Sequence, residues 1–373
     1  MEFENLRIEI GGKDMSDFYP DLTRLEVELD EELAAMVRIH LMLPQLPDGT
    51  WGKLDDERLS LWKPVTVTAG FESSTEELMT GFITHLRPNF DSDPACCALE
   101  VWGLDHSVLM DREQKLKDWS GKKDSDIAHV ILVDDHKFNA VIENTEIVHE
   151  EEVSTILQRE TDMHFLRRLA LRNGYECYVE GKTAFFRPPQ IDASPQPLLA
   201  AHFGDETTLV CFKAEVNALA PAKVAMSQID RVNKEVLDAS VESSRETALG
   251  QADPQSLLGT GVAAGQVYVG AQATGATEMT ALCQALFHRG QWLVTAHGTV
   301  AANLYGHVLK PRRPVTIKGV GETYSGVYYV THVTHVFAPD GYVQNFSAKR
   351  NALKPSGAEK FSATGGGFLG AVL

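Results

Sequence analysis

The sequence is poor in the features that mark metal chemistry, membranes or nucleic acid. Cysteine is scarce, with Cys96, Cys97, Cys177, Cys211 and Cys283 the only five among 373 residues. The number is odd and no Cys-x-x-Cys pair occurs, which argues against a small disulfide scaffold and against a paired-cysteine zinc site. The five read as reduced thiols. Cys96 and Cys97 are adjacent in what reads as a strand, so their side chains point to opposite faces and make a poor local chelate. No window approaches the roughly 18 apolar residues needed to span a bilayer. The opening Met-Glu-Phe-Glu-Asn-Leu has no basic stretch followed by an apolar core, so no leader or membrane insertion is expected and folding is assigned to the cytoplasm. Basic residues are also in short supply. Lys and Arg number 34 against 52 Asp and Glu, a formal charge of −18. A surface that binds nucleic acid needs clustered cations to displace phosphate counterions, so specific nucleic-acid binding is not expected.

Catalytic signatures are equally thin. No Gly-x-Ser-x-Gly elbow occurs, and no serine or cysteine has a recognisable histidine partner context. Gly319-Val320-Gly321 lacks the third glycine and the following helix of a dinucleotide site and reads as a turn between strands. His332 and His335 are three apart in a strand and face opposite sides of it. Asp134-Asp135-His136 reads as a solvated turn, and Glu150-Glu151-Glu152 as an exposed run of like charge. No catalytic residue, cofactor or metal is assigned, and enzyme function is not expected.

What the chain does have is alternation. Apolar residues make up 43% of it, an ordinary globular value, and the length suits two or three cores. Leu6, Ile8 and Ile10 alternate with polar residues. The same period of two returns at Leu25, Val27 and Leu29, at Val37, Ile39 and Leu41, and at Val65, Val67 and Ala69. Strands continue through Gly81–Pro88 and Ala98–Gly103. The period then lengthens to 3.6, with short helices expected at 105–110 and 125–131. Between 158 and 186 one helix joins one hairpin. Thr161 can cap the helix, Asp162 sits in the first turn, and Asn173-Gly174 supplies a left-handed stop. Phe165, Leu166, Leu169 and Ala170 form the apolar stripe, opposed by Arg167, Arg168 and Arg172. Glu160 and Asp162, beside these arginines, read as helix-end electrostatics. Residues 239–277, rich in Gly, Ala, Ser, Thr and Gln, read as a long loop, and a helix is expected over 278–287. Strands close the chain, with Asp340-Gly341 as a hairpin turn.

The set Gln158, Glu160, Thr161, Asp162, Phe165, Leu166, Arg168 and Leu169, followed by Gly174-Tyr175 and Tyr178, resembles a Gln-x-Glu-Ser/Thr-Asp-x-x-Phe-Leu-x-Arg-Leu stretch. That stretch belongs to hub proteins of contractile injection machines: phage late control D proteins, the hub part of the type VI spike protein, and hubs of extracellular injection particles. Thr80-Gly81-Phe82-Ile83-Thr84 through Phe90 is similar to a strand of that family. Val101-Trp102-Gly103-Leu104-Asp105 is similar to its Val-x-Gly-Tyr-Asp step, with Leu104 in place of the usual Tyr. Residues 315–335 resemble its closing sheet.

The resemblance implies a mainly β chain with an α/β insertion: two tube-type antiparallel β-barrels plus a small helix-hairpin domain. Expected boundaries are 1–103 for the first barrel, 104–190 for the insertion, 191–353 for the second barrel, and 354–373 for a Gly- and Ala-rich tail. Gln158, Glu160, Asp162, Phe165, Leu166, Leu169, Gly174, Trp102, Gly103 and Asp105 are the expected structural motif. The partners implied are two further copies in a homotrimer, an inner tube protein above, a separate spike protein below, and other baseplate components. Assembly would occur in the bacterial cytoplasm, for use in a virion or a released injection particle. Two rivals from other classes are a tail-associated cell-wall hydrolase and a β-barrel carbohydrate-binding module.

Overall fold

The computed structural model describes residues 6–71, 74–149, 156–230, 232–257, 263, 265–270, 274–359 and 361. The run Glu150–Glu152 and residues 362–373 of the expected tail lie outside them. The chain is mainly β with a helical insertion. Its first third supplies β1 (Leu6–Ile10), β2 (Lys13–Asp14), β3 (Leu22–Asp30), β4 (Met36–Met42), β5 (Pro64–Phe71), β6 (Ser74–Asn89) and β7 (Ala98–Asp105). They lie side by side as β3-β4-β7-β6-β5-β1-β2, all antiparallel. Period two sorts their side chains: Leu25, Val27, Ile39, Val65, Val67 and Ile83 enter one core. Arg38, Glu100 and Trp102 stand on the opposite face, where Arg38 and Arg87 flank the Trp102 ring. The open edge of β1 is covered by the 3₁₀ turn Ser16–Asp21. There the Tyr19 hydroxyl accepts from the Ile8 amide and donates to the Leu6 carbonyl, and the Met15 amide donates to the Ile8 carbonyl.

The middle third contains β8 (Lys117–Asp118), α1 (Asp124–His129), β9 (Asn139–Ile142), β10 (Leu157–Gln158), α2 (Asp162–Asn173), β11 (Glu176–Glu180) and β12 (Thr183–Arg187). A π-helical turn, Val130–Asp135, prolongs α1. The hairpin gains a third strand, because β12 pairs antiparallel with β11 and parallel with β9. Phe165, Leu166 and Leu169 are fully buried in the core under this sheet, with the Trp119 ring stacked on Phe165.

The last third contains β13 (Gln196–Ala200), β14 (Leu209–Val216), β15 (Lys223–Ile229), β16 (Val236–Val241), β17 (Gln266–Val269), α3 (Ala276–Gly290), β18 (Val294–Ala301), α4 (Ala302–Tyr305), β19 (Arg313–Lys318), α5 (Gly321–Tyr324), β20 (Gly326–Ala338) and β21 (Gly341–Arg350). β16, β15 and β17 form a small sheet packed on α3. Parts of the 239–277 stretch read as loop are therefore strands: Ala239 and Val241 turn inward onto α3, and β17 pairs parallel with β15.

β20 unites the halves. Its first residues, up to Val330, pair with β19, and His332–Phe337 pair with β3, while β21 runs along the other side. One 13-stranded sheet thus passes through two cores. Closure differs from the barrels expected from sequence. In the second half the order is β13-β19-β20-β21-β18-β14, and β13 and β14 do not pair along their length. A further correction concerns Cys96. It ends the 3₁₀ turn Pro94–Cys96, capped by Asp93, and Cys97 follows as the C-cap, so neither lies in a strand.

Candidate functional site

The motif residues around α2 form one fastening point. Thr161 caps the helix, accepting from the His164 amide and donating to Asp111. Gly174 closes it in the left-handed conformation at φ 69°, where a side chain would be strained. Between them the Gln158 side chain is fully buried, accepting from the Trp119 indole at 3.0 Å and donating to Asp162 at 2.8 Å. Asp162, only 2% exposed, also receives Lys115 Nζ at 2.6 Å and lies 2.8 Å from His136 Nε2. Burial alone would raise its pKa, but His136, Lys115 and Gln158 outweigh burial and hold the carboxyl down at about 2. Glu160 pairs with Arg168 at 2.7 Å on the exposed side. The reading of Asp134-Asp135-His136 as a solvated turn is thus corrected for His136, which the π-helical turn delivers to Asp162.

Trp102, Gly103 and Asp105 lie on β7 and belong to a different feature. A Cβ on Gly103 would stand 2.9 Å from Val37 and Val65, so the glycine allows strand and core to meet. Asp105 is buried and accepts from the Ala35 and Ser107 amides, closing the β4–β7 corner.

Two clusters escaped the sequence reading. Buried Asp124 lies 2.7 Å from His149 Nε2 and receives Asn173 at 2.6 Å, and Arg172 on the same helix is ion-paired with Glu278 of α3. The group ties α1, α2 and α3 together. The second is a cavity of about 500 Å³ between α2, α3 and the main sheet, with Glu31, Glu176, Glu246, Trp292 and Lys349 in its wall. Burial pushes Glu176 and Glu246 up to about 7. Lys349 holds Glu31 at 2.7 Å, and the Tyr329 hydroxyl donates to Glu176 at 2.8 Å. No local sequence pattern announces either cluster, because their members come from separate segments, with Asp124 lying 25 residues from His149 and 49 from Asn173.

Among the described residues no group of three or more His, Cys, Asp or Glu is placed to hold a metal ion. No helix there is long and apolar enough to cross a membrane. What the arrangement does chemically is fix segments to one another through charge-assisted hydrogen bonds.

The fold is that of phage tail proteins. The 43 kDa tail protein of prophage MuSo2 from Shewanella oneidensis matches with a TM-score of 0.65 at 14% identity, over 94% of this chain and 99% of that one. A tail protein from Neisseria meningitidis matches with a TM-score of 0.65 at 15% identity, over 94% and 97%. The Escherichia coli c3393 protein, a component of the type VI secretion system, matches with a TM-score of 0.54 at 13% identity, over 93% and 79%. At these identities the likeness is one of fold. The chain belongs to the family described as the Alg8 N-terminal domain, whose model matches residues 2–338. No curated protein matches the chain in sequence.

Proposed function

We propose that this chain is a structural hub of a phage tail or tail-like contractile injection particle. In this reading three copies form a ring that adapts a sixfold inner tube to a threefold spike carried by a separate protein. Residues 1–103 and 191–353 supply two tube-like units per copy, 104–190 the insertion that braces them, and 354–373 a tail. The observation that carries the reading is the single sheet running through two cores and joined at β20 and β3. Three such chains offer six similar units around an axis, which is the geometry a threefold-to-sixfold adaptor needs. The shared fold with tail proteins and with a type VI secretion component supports the same class. The chemistry of the α2 fastening also supports a non-enzymatic part, because Asp162 is engaged by Lys115, His136 and Gln158. Work would be done by shape: strand faces and edges template the tube on one side and hold the spike on the other.

Native mass spectrometry tests this. Three copies of a 41.1 kDa chain should give a species near 123 kDa, and electron microscopy should show a ring with a central channel. A monomer at every concentration tested, or an oligomer without a channel, would refute the hub.

A further inference from the structure

The cavity between α2, α3 and the main sheet is walled by carboxyls that have too few partners. Glu176 opens β11 and enters the wall from the insertion, Glu246 comes from the connection between β16 and β17, and Glu31 from the turn between β3 and β4. One oxygen of Glu176 accepts from the Tyr329 hydroxyl of β20, while Oε2 is buried and unpartnered. Glu246 stands in the same way. Its Oε1 lies 3.4 Å from His288 Nδ1, and its Oε2 is buried without a partner. His288 brings no charge to it, because Nε2 accepts from the Arg245 amide at 3.1 Å and burial holds the imidazole below its ordinary pKa.

The cations around the two glutamates are engaged elsewhere. Lys349 of β21 holds Glu31 at 2.7 Å, Arg289 of α3 holds Glu32 at 3.2 Å, and Arg168 of α2 holds Glu160 at 2.7 Å. Arg312, just before β19, donates to the Asp30 carbonyl and stacks on the Tyr178 ring. Arg167 of α2 also lines the cavity, and its charge bears on the buried Cys177 thiol.

A carboxylate oxygen cut off from water and from donors is costly, so a group placed in this way keeps its proton. Burial accordingly pushes both glutamates up to about 7. Ionised, they would repel one another, and Lys349, already bound to Glu31, would be left to answer for all three. The adjoining space of about 500 Å³ gives water room to reach them without disruption of either main core.

We propose that this wall is a proton-operated latch: with Glu176 and Glu246 protonated, β11 and the segment around Glu246 are held against the main sheet, and loss of the two protons lets water in and loosens both. The sign follows from linkage. The fold keeps protons that the unfolded chain releases near 4.5, so the latch is complete below that value and is lost as pH rises through 7. The device lies within one chain and is independent of the hub reading.

Hydrogen exchange of the full chain at pH 6 and pH 8.5, with each rate divided by the intrinsic rate at that pH, tests this. From the lower pH to the higher, protection of the β11 amides and of residues 245–248 should fall about tenfold or more beyond any fall in β4 and β7. In a chain carrying Glu176→Gln and Glu246→Gln, whose amides keep the shape of protonated carboxyls, that extra fall should disappear. Each single variant should retain only part of it, which keeps the test open if the double variant does not fold. Equal protection at both pH values, a loss in β11 no larger than in β4 and β7, or the full extra loss persisting in the variants would overturn the proposal.

Discussion

Replacing Asp162 with Asn keeps the shape of the side chain and removes its charge, which isolates what that charge contributes. Asp162 serves Lys115, His136 and Gln158 at once and is only 2% exposed. Its pKa falls from an ordinary 3.8 to about 2 in the folded chain. At about 1.36 kcal/mol per pH unit, that depression is worth about 2.5 kcal/mol of stability at neutral pH. The sign follows from linkage. A carboxylate with a depressed folded pKa contributes stability that is complete above its unfolded value near 4 and is lost as pH falls through 2. The Asn variant should therefore be less stable than the parent by about 2.5 kcal/mol at pH 7. The gap should narrow below pH 4 and all but vanish near pH 2. Urea denaturation at pH 7, 5 and 3, followed by tryptophan fluorescence, measures it, and Trp119 reports directly because its indole donates to Gln158. A difference below about 0.5 kcal/mol at pH 7, or one that does not change with pH, would refute this account of the network.

Two other predictions concern the surroundings of α2. Phe165→Ala and Leu169→Ala, both at fully buried positions, should each cost about 3 kcal/mol or more by chemical denaturation. The pair should block assembly into particles, whereas wild-type stability with normal ring formation in the double variant would refute the packing argument. Glu176 behaves oppositely to Asp162, because burial raises its folded pKa to about 7. The folded chain holds a proton that the unfolded chain releases near 4.5, so this contribution is complete below 4.5 and is lost as pH rises through 7. The parent should lose on the order of 3 kcal/mol relative to Glu176→Gln between pH 5 and 8. Parallel melting curves for the two across that range would show that Glu176 is not desolvated.

The amino-acid sequence by itself determined the local pieces. Alternation at Leu25, Val27 and Leu29 marks β3, Thr161 and Gly174 bound α2, and Asp340-Gly341 turns β20 into β21, because each depends on neighbours within a few residues. Tertiary structure decided which pieces meet. Nothing near Asp162 in the sequence announces Lys115 or His136, and nothing near Asp124 announces His149. The parallel pairings of β9 with β12 and of β13 with β19 also lie beyond period and turn chemistry, as does the division of β20 between β19 and β3. Such pairings are settled when long loops close and whole cores are buried together, so the fastening of the helix and the cavity walled by Glu176 and Glu246 are products of the fold as a whole.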